Sequence, residues 1–232
     1  MRCGRVYRAV IRLPEPFKRI IPMSDDKPSS LIYFADPMCS WCWGFSPIIH
    51  QISKQFRDTL PIQMIMGGLQ AGQETPMSDQ QCDELRHHWQ QVAQTSAQPF
   101  NFDFFNRHSF IYNTEPPCRA VVTCQRLQPD LALTFLTRLQ TAFYVDNRDI
   151  TDSEEIYKLA VASGLAASEF FNLFDDEETQ RITALHFQYS RYCHVSGFPT
   201  LIGQKNKVNT VITRGYQSLD KIQDNIQRWL SA

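Results

Sequence analysis

The sequence predicts an α/β domain interrupted by a large all-helical segment. Short apolar runs typical of buried strands occur near both ends of the 232-residue chain. They lie at residues 30–35, 60–66, 197–202 and 207–213. Between the second and third runs, the residues show only helical patterns. A close pair of cysteines, Cys39 and Cys42, lies where the first strand ends and the first helix begins.

The N-terminal elements predict a strand–helix–strand unit. Residues 30–35 are apolar and rich in aromatics, which favours a buried strand. Ile48, Ile49 and Ile52 then recur at helical spacing, with Pro47 inside the helix, where it predicts a kink. Residues 60–66 alternate and end at two glycines. This order is the βαβ unit of a parallel sheet.

The middle of the chain predicts helices only. Two predicted helices start with capping sequences, at residues 78–81 and 151–154. A helix is also predicted over 131–144 and a long one over 168–193. Five phenylalanines are predicted to pack this region onto the core, an exposed peptide-binding patch being the alternative. They are Phe100, Phe102, Phe104, Phe105 and Phe110.

The sheet pattern returns near the C-terminus, with residues 203–206 as the predicted turn and Ser218 capping a final helix. We therefore predict a thioredoxin-like fold with a large all-helical insertion. Its first part is residues 28–75, the insertion 76–180 and its second part 181–232. Residues 1–27 are Arg-rich, and we interpret them as a flexible or mis-assigned extension. A start at Met23 and a weak targeting peptide are the alternatives.

Composition limits the class of partner and the compartment. A formal net charge of −1 gives no reason to expect nucleic acid or anionic lipid as a partner. No apolar run approaches the roughly 20 residues of a membrane helix. Seven cysteines are an odd number, and five of them stand alone, unlike a secreted disulfide scaffold. We predict a cytoplasmic protein whose solitary cysteines, among them Cys118, Cys124 and Cys193, are small buried residues. An extra redox role for Cys193 is the alternative.

The paired cysteines predict redox chemistry. A cysteine at a helix start faces unpaired backbone N–H groups and the positive end of the helix dipole. Both favour the thiolate, which is the reactive form. We assign Cys39 as the attacking thiol and Cys42 as the resolving one. A zinc site is the alternative, but no second pair has the spacing of a common zinc module, so no metal is predicted.

Residues 36–44, D-P-M-C-S-W-C-W-G, resemble the D-x-x-C-P-W-C-x-x-G signature of the DsbA family, specifically its cytoplasmic FrnE-like branch. Residues 113–120 are similar to the family segment that faces the active site from the helical domain. Residues 142–152 resemble its A-F-F-x-E-G-x-D-I-x-D block, and residues 196–200 resemble its cis-proline loop. The combination is far more specific than two cysteines alone.

The resemblance implies thiol–disulfide exchange through a Cys39–Cys42 disulfide, with no bound cofactor. Pro199 would be the cis-proline, and the backbone of Phe198 would pair with substrate as an added strand. Asn113 and Thr114 would face the site. Trp41, between the cysteines, is predicted to contact substrate, packing of the helix being the alternative.

Two departures from the family pattern bear on the chemistry. Ser40 stands where the family has proline, which leaves the helix start less rigid. Tyr33 stands where many thioredoxin-like strands have an acid that helps proton transfer, and Asp36 lies closer to the cysteines. We therefore expect proton transfer through water.

Three functions remain open. The first is a dithiol–disulfide oxidoreductase or isomerase acting on a thiol- or disulfide-containing protein or small molecule. The second is a glutathione-dependent isomerase or transferase of the 2-hydroxychromene-2-carboxylate isomerase or kappa-class type, with glutathione as co-substrate. The third is a peptide-binding chaperone. Retention of both thiols favours the first.

Overall fold

The computed structural model describes residues 9–10, 17, 29–107, 109–206 and 208–231. The prediction for residues 1–27 lies outside this part of the chain except at residues 9, 10 and 17. The strands are β1 (Ala9–Val10), β2 (Ser29–Ala35), β3 (Ile62–Met66), β4 (Thr200–Lys205) and β5 (Val208–Arg214). The helices are α1 (Ser40–Gln55), α2 (Asp79–Ser96), α3 (Glu115–Leu127), α4 (Ala132–Tyr144), α5 (Ser153–Ala162), α6 (Ala167–Phe174), α7 (Glu177–Tyr192) and α8 (Leu219–Ser231).

The strands form one mixed sheet in the order β1-β5-β4-β2-β3. Strands β2 and β3 are parallel and joined through α1, so the predicted βαβ unit is confirmed. Strand β4 is antiparallel to β2, and β5 and β1 add antiparallel pairs. Helices α2 to α6 lie in the chain between β3 and α7, so the predicted thioredoxin-like fold with a helical insertion is also confirmed. The exact domain boundaries stay predictions.

Strand β2 is buried on both faces, which explains its unbroken apolar sequence. Leu31, Tyr33 and Ala35 belong to the core that they share with α1 and the helical insertion. Ile32 and Phe34 pack on the opposite face with α7 and β4. Successive side chains of β2 therefore pack against α1 and the helical insertion on one face and against α7 on the other.

Strand β4 is longer than the sequence indicates. The predicted turn over residues 203–206 is wrong at its start, because Gly203, Gln204 and Lys205 pair with β2. A Cβ on Gly203 would lie 2.6 Å from the Trp229 ring of α8, so glycine here allows close packing of helix on strand. The sequence pattern suggested a turn because Gly, Gln, Lys and Asn are typical turn residues.

In the helical insertion, the aromatic side chains pack around the fully buried Trp89 of α2. Its ring contacts six aromatic rings: Phe100, Phe102, Phe104, Phe105, Phe143 and Tyr144. The five phenylalanines predicted to pack onto the core do so. Trp43 stacks on Tyr144 and donates from Nε1 to the Pro99 carbonyl at 3.0 Å. These two contacts hold α1 against the helical insertion.

Two predicted helix boundaries need correction. The single helix expected over 168–193 is two helices, α6 and α7, separated at Asp175 and Asp176. Asp176 has extended backbone and pairs with Arg126 at 3.0 Å, so a tertiary ion pair accompanies the break. The capping box at Ser78 is confirmed, but α5 is capped by Asp152, one residue after the predicted Thr151.

Candidate active site

The two paired cysteines lie at the start of α1. Cys39 is the N-cap residue with extended backbone, and Cys42 lies in the first turn. The Cys39 carbonyl accepts the N–H of Cys42 at 2.9 Å and that of Trp43 at 3.1 Å. Both thiols are free, and Cys39 lies close enough to act on the ionisation of Cys42. The predicted placement of Cys39 at a helix start is confirmed.

The two sulfurs differ in their surroundings. Cys39 keeps 6% of its surface exposed, whereas Cys42 is fully buried. Burial, followed by the hydrogen bond and charge of Cys39, raises the pKa of Cys42 well above its ordinary value. The protonated form of Cys42 is therefore favoured, and of the two thiols only Cys39 is partly exposed.

The loop before β4 brings Phe198 and Pro199 to Cys39. The Phe198–Pro199 peptide bond is cis, as the family resemblance implied. The thiol of Cys39 donates to the Phe198 carbonyl at 3.5 Å, linking residues 159 positions apart in the chain. The fold thus brings together the three residues Cys39, Cys42 and Phe198.

Asp36 accepts the N–H of Cys39 on its backbone carbonyl at 3.1 Å and is completely buried. Its carboxylate accepts the N–H of Met38 at 2.9 Å and that of Leu69 at 2.7 Å, and the Cys118 thiol donates to it at 3.4 Å. Burial raises the pKa of Asp36, while the two backbone N–H groups oppose that rise. Asp36 therefore fixes the turn before Cys39 to the loop after β3, and Cys118 is one of its partners.

Asn113 and Thr114 hold that same loop. The Asn113 side-chain oxygen accepts the N–H of Gly72 at 3.0 Å, and the Thr114 hydroxyl accepts that of Gln70 at 3.1 Å. Thr114 is fully buried, and Asn113 is half-buried. The structure gives both side chains a positioning role, and substrate contact by them stays a prediction.

Trp41 and Trp43 take different positions although they flank Cys42. Trp43 is buried in the stack with Tyr144. Trp41 is half-buried and packs on Tyr216, with ring centroids 5.8 Å apart. Trp41 therefore keeps an open side next to the cysteines, and contact with substrate stays a prediction.

Two residues of the site were not predicted from the sequence. The Tyr112 hydroxyl donates to the Met38 carbonyl and holds the residue before Cys39. Gly67 passes so close to Phe198 that an added Cβ would lie 2.0 Å from its ring. The pair of glycines after β3 is visible in the sequence, but it predicted only the end of a strand and no contact with Phe198. No sequence pattern indicated a role for Tyr112, because its partner lies 74 residues away.

Among the residues that the structure describes, no group of three or more His, Cys, Asp and Glu side chains is arranged to hold a metal ion. Within the same residues, every helix is too short or too polar to cross a membrane.

Comparisons with known families and structures agree with this geometry. The family model described as "DSBA-like thioredoxin domain" matches residues 30–227. A crystal structure from Nitrosomonas europaea, provisionally assigned as a protein disulfide isomerase, is 35% identical with a TM-score of 0.83, covering 88% of this chain and 98% of that one. The cytosolic disulfide reductase DsbM from Pseudomonas aeruginosa is 25% identical with a TM-score of 0.72, covering 87% of this chain and 98% of DsbM.

A more distant relative is the ClpXP adapter protein SpxH from Halalkalibacterium halodurans. It is 22% identical over 180 residues, which is 76% of this chain. The chain spans only 58% of the length of that relative and of SpxH from Bacillus subtilis.

Proposed function

Because this chain belongs to the DSBA-like thioredoxin domain family, we propose that it is a thiol–disulfide oxidoreductase working through Cys39 and Cys42. The observation that carries the proposal is the adjacency of two free, buried thiols at the start of α1, of which only Cys39 keeps a small exposed surface. A single reactive thiol would need no buried partner. The pair is suited to a two-step exchange.

In the reducing direction, the Cys39 thiolate attacks one sulfur of a substrate disulfide. A Cys39–substrate bond forms, the substrate S–S bond breaks, and one substrate thiolate leaves. Cys42 then attacks Cys39, releases the second thiolate and closes the Cys39–Cys42 disulfide. The Cys42 proton ends on a released substrate thiolate. Two electrons pass from the protein to the substrate, and the same steps in reverse oxidise a dithiol.

Phe198 is the proposed backbone contact for substrate. Its carbonyl accepts a hydrogen bond from the Cys39 thiol in the free protein. When the Cys39 sulfur enters a mixed disulfide it loses its proton, and the carbonyl becomes available to an N–H of the substrate chain. A peptide lying along Phe198 and Pro199 would then add as a strand. Trp41, Asn113 and Thr114 are the proposed side-chain neighbours.

We propose a cytoplasmic protein that acts on a thiol- or disulfide-containing protein or small molecule. The description of DsbM as a cytosolic reductase supports both the compartment and the reducing direction. The isomerase assignment of the Nitrosomonas europaea protein supports a second activity, in which the same exchange steps rearrange the disulfides of a substrate. Relatives named as adapter proteins support a protein as partner. Glutathione is a proposed co-substrate that would return the pair to the dithiol.

The Cys42→Ser variant tests the two-step mechanism. We expect turnover of insulin disulfides to fall about a hundredfold or more, because one thiol can form a mixed disulfide but cannot resolve it. Mass spectrometry should then show substrate bound covalently to Cys39. Cys39→Ser should form no adduct, and Cys82→Ser, which changes a half-buried thiol far along the chain, should behave as wild type. Unchanged turnover in Cys42→Ser would contradict dithiol cycling and favour the glutathione-dependent alternative.

A further inference from the structure

Tyr33 lies in the centre of β2, directly behind the paired cysteines. It pairs with Met64 of β3 on one side and Leu201 of β4 on the other, and it is completely buried. Its ring lies on the sheet face that carries α1, 6.0 Å from the ring of Phe45. Phe45 follows Cys42 by three residues, so both lie on the same side of the helix. The sheet and the helix therefore aim the Tyr33 ring at the Cys42 region.

The hydroxyl of Tyr33 has no nitrogen or oxygen partner. A buried hydroxyl without a partner is destabilising, and it remains available to donate when a strong acceptor forms beside it. Its polar neighbour is the Cys42 side chain. A neutral thiol is a weak acceptor, whereas a thiolate is a strong one.

Two other buried tyrosines lie near the site. Tyr112 donates to the Met38 carbonyl, and the Tyr144 hydroxyl, which like that of Tyr33 has no nitrogen or oxygen partner, lies beside Tyr112. The charge of Cys39 acts on both of them, whereas Tyr33 interacts with Cys42 itself. The neighbour that distinguishes Tyr33 is therefore Cys42.

We propose that the Tyr33 hydroxyl donates a hydrogen bond to the sulfur of Cys42 and stabilises its thiolate while that thiolate attacks Cys39 in the mixed disulfide. The inference rests on the proposed function and adds a residue to it. In this step the Cys42–Cys39 S–S bond forms, the Cys39–substrate S–S bond breaks, and the electron pair leaves with the substrate thiolate. The Cys42 proton passes to that thiolate through water, and Tyr33 keeps its own proton throughout.

The electrostatics of the site agree with a donor that does not ionise. Burial, then the charges of Cys42 and Cys39, raise the pKa of Tyr33 well above its ordinary value. Three titratable groups act on Cys42: Cys39, Asp36 and Tyr33. The charge of Asp36 opposes a Cys42 thiolate, while the backbone of Asp36 favours one. In the mixed disulfide Cys39 has no proton to donate, and an ionised Asp36 carboxylate can only accept. The Tyr33 hydroxyl is then the neutral donor among these side chains.

The test follows the two thiols separately in one reaction. The reduced full-length protein, with Cys3, Cys82 and Cys193 replaced by serine, is mixed with the aryl disulfide dithiobis-nitrobenzoate in a stopped-flow instrument. Attack by Cys39 releases one coloured thiolate, and resolution by Cys42 releases the second. The first phase therefore reports the proposed function and the second reports the resolving step.

We expect Tyr33→Phe to leave the first phase unchanged and to slow the second about tenfold at neutral pH, which corresponds to about 1.4 kcal/mol in activation free energy. The pH profile of the second phase should shift upward, because the thiolate of Cys42 loses its donor. Tyr189→Phe is the matched control: it removes another buried hydroxyl, on the opposite face of the sheet, and should change neither phase.

A second-phase rate and pH profile in Tyr33→Phe equal to those of the wild type would overturn the inference. Thermal melting of both variants shows whether the fold is retained. We expect Tyr33→Phe and Tyr189→Phe to have similar melting temperatures. Absence of a second phase in the wild-type protein would instead refute the dithiol mechanism itself.

Discussion

At the scale of single residues, the site depends on one close approach between segments far apart in the chain. Gly67 follows β3 and donates its N–H to the Ala35 carbonyl at 2.7 Å, which holds it beside the end of β2. The Phe198 ring occupies the space that a side chain at position 67 would need. The carbonyl of Phe198 in turn accepts from Cys39. A glycine outside the cysteine motif therefore sets the position of the loop that carries Phe198.

The Gly67→Ala substitution tests this dependence. The new methyl group would lie 2.0 Å from the end of the Phe198 ring, so the ring must move. We expect kcat/KM for disulfide reduction to fall about ten- to a hundredfold, because small displacements of a positioning contact are costly to catalysis. The melting temperature should change little, since the ring is half-buried and its free end can shift into solvent.

Gly197→Ala is the matched control, because a Cβ there meets nothing within 4 Å although it precedes Phe198 directly. It should keep wild-type activity. Equal activity of both alanine variants would show that the close approach of Gly67 to the Phe198 ring does not matter for activity.

At the scale of elements, helix α7 completes the outer edge of the sheet. Strand β3 is the last strand on its side, so the backbone groups of Met64 and Met66 that point outward have no strand partner. His186 of α7 accepts the Met66 N–H on Nδ1 at 3.2 Å, and Gln125 of α3 donates to the Met64 carbonyl at 2.9 Å. Side chains of α3 and α7 thus make hydrogen bonds to β3 that a neighbouring strand would otherwise make.

The His186 contact predicts loss of stability in acid. Burial lowers the pKa of His186 to about 3. An unfolded histidine binds its proton near pH 6.5, so between these values the unfolded chain holds more protons than the folded one. Stability is therefore complete above about pH 6.5 and falls by roughly 1.4 kcal/mol per unit as the pH drops through this window.

His186→Gln keeps an oxygen for the Met66 N–H but cannot titrate. Urea unfolding at several pH values should give this variant a shallower pH dependence than the wild type, with a difference of about 2 kcal/mol between neutral pH and pH 5. His88→Gln, which changes an exposed histidine, should keep the wild-type slope. A parallel pH dependence in the wild type and His186→Gln would contradict the assignment.

At the scale of the whole molecule, the helical insertion and the sheet are one packed unit. Trp43 of α1 stacks on Tyr144 of α4, which also packs on Trp89. Asp36 joins the end of β2 to the loop after β3 and, through Cys118, to α3. The cysteine-bearing helix therefore shares its core with the insertion. We expect the two parts to unfold together.

Trp89→Ala tests this cooperativity. Removing the central ring should lower the free energy of unfolding by about 3–5 kcal/mol, because the large cavity cannot collapse fully. Circular dichroism and alkylation of the buried Cys42 should report the same single transition. Phe171→Ala, where 51% of the side chain is exposed, should cost only about 0.5 kcal/mol. Two separate transitions would mean that the insertion is an independent domain.

The features predicted correctly from the sequence are local ones. The apolar run of β2, the helical spacing of α1, the capping box at Ser78 and the placement of Cys39 at a helix start each depend on neighbouring residues. Spacing in the chain fixes which side chains share a face of a helix or strand, so these features can be predicted from pattern alone. The cysteine motif, with its flanking residues, also indicated the family.

Other features were decided by contacts between distant segments. Gly203 to Lys205 are strand rather than turn because β2 lies alongside them, and the break at Asp176 accompanies its ion pair with Arg126. The burial of Asp36 and the orientation of the Tyr33 hydroxyl likewise depend on where β3, α1 and α3 pack. The sequence by itself therefore determined the fold class and the position of the two paired cysteines. Only the tertiary structure decided which polar groups surround them, because local periodicity carries no information about partners brought together by packing.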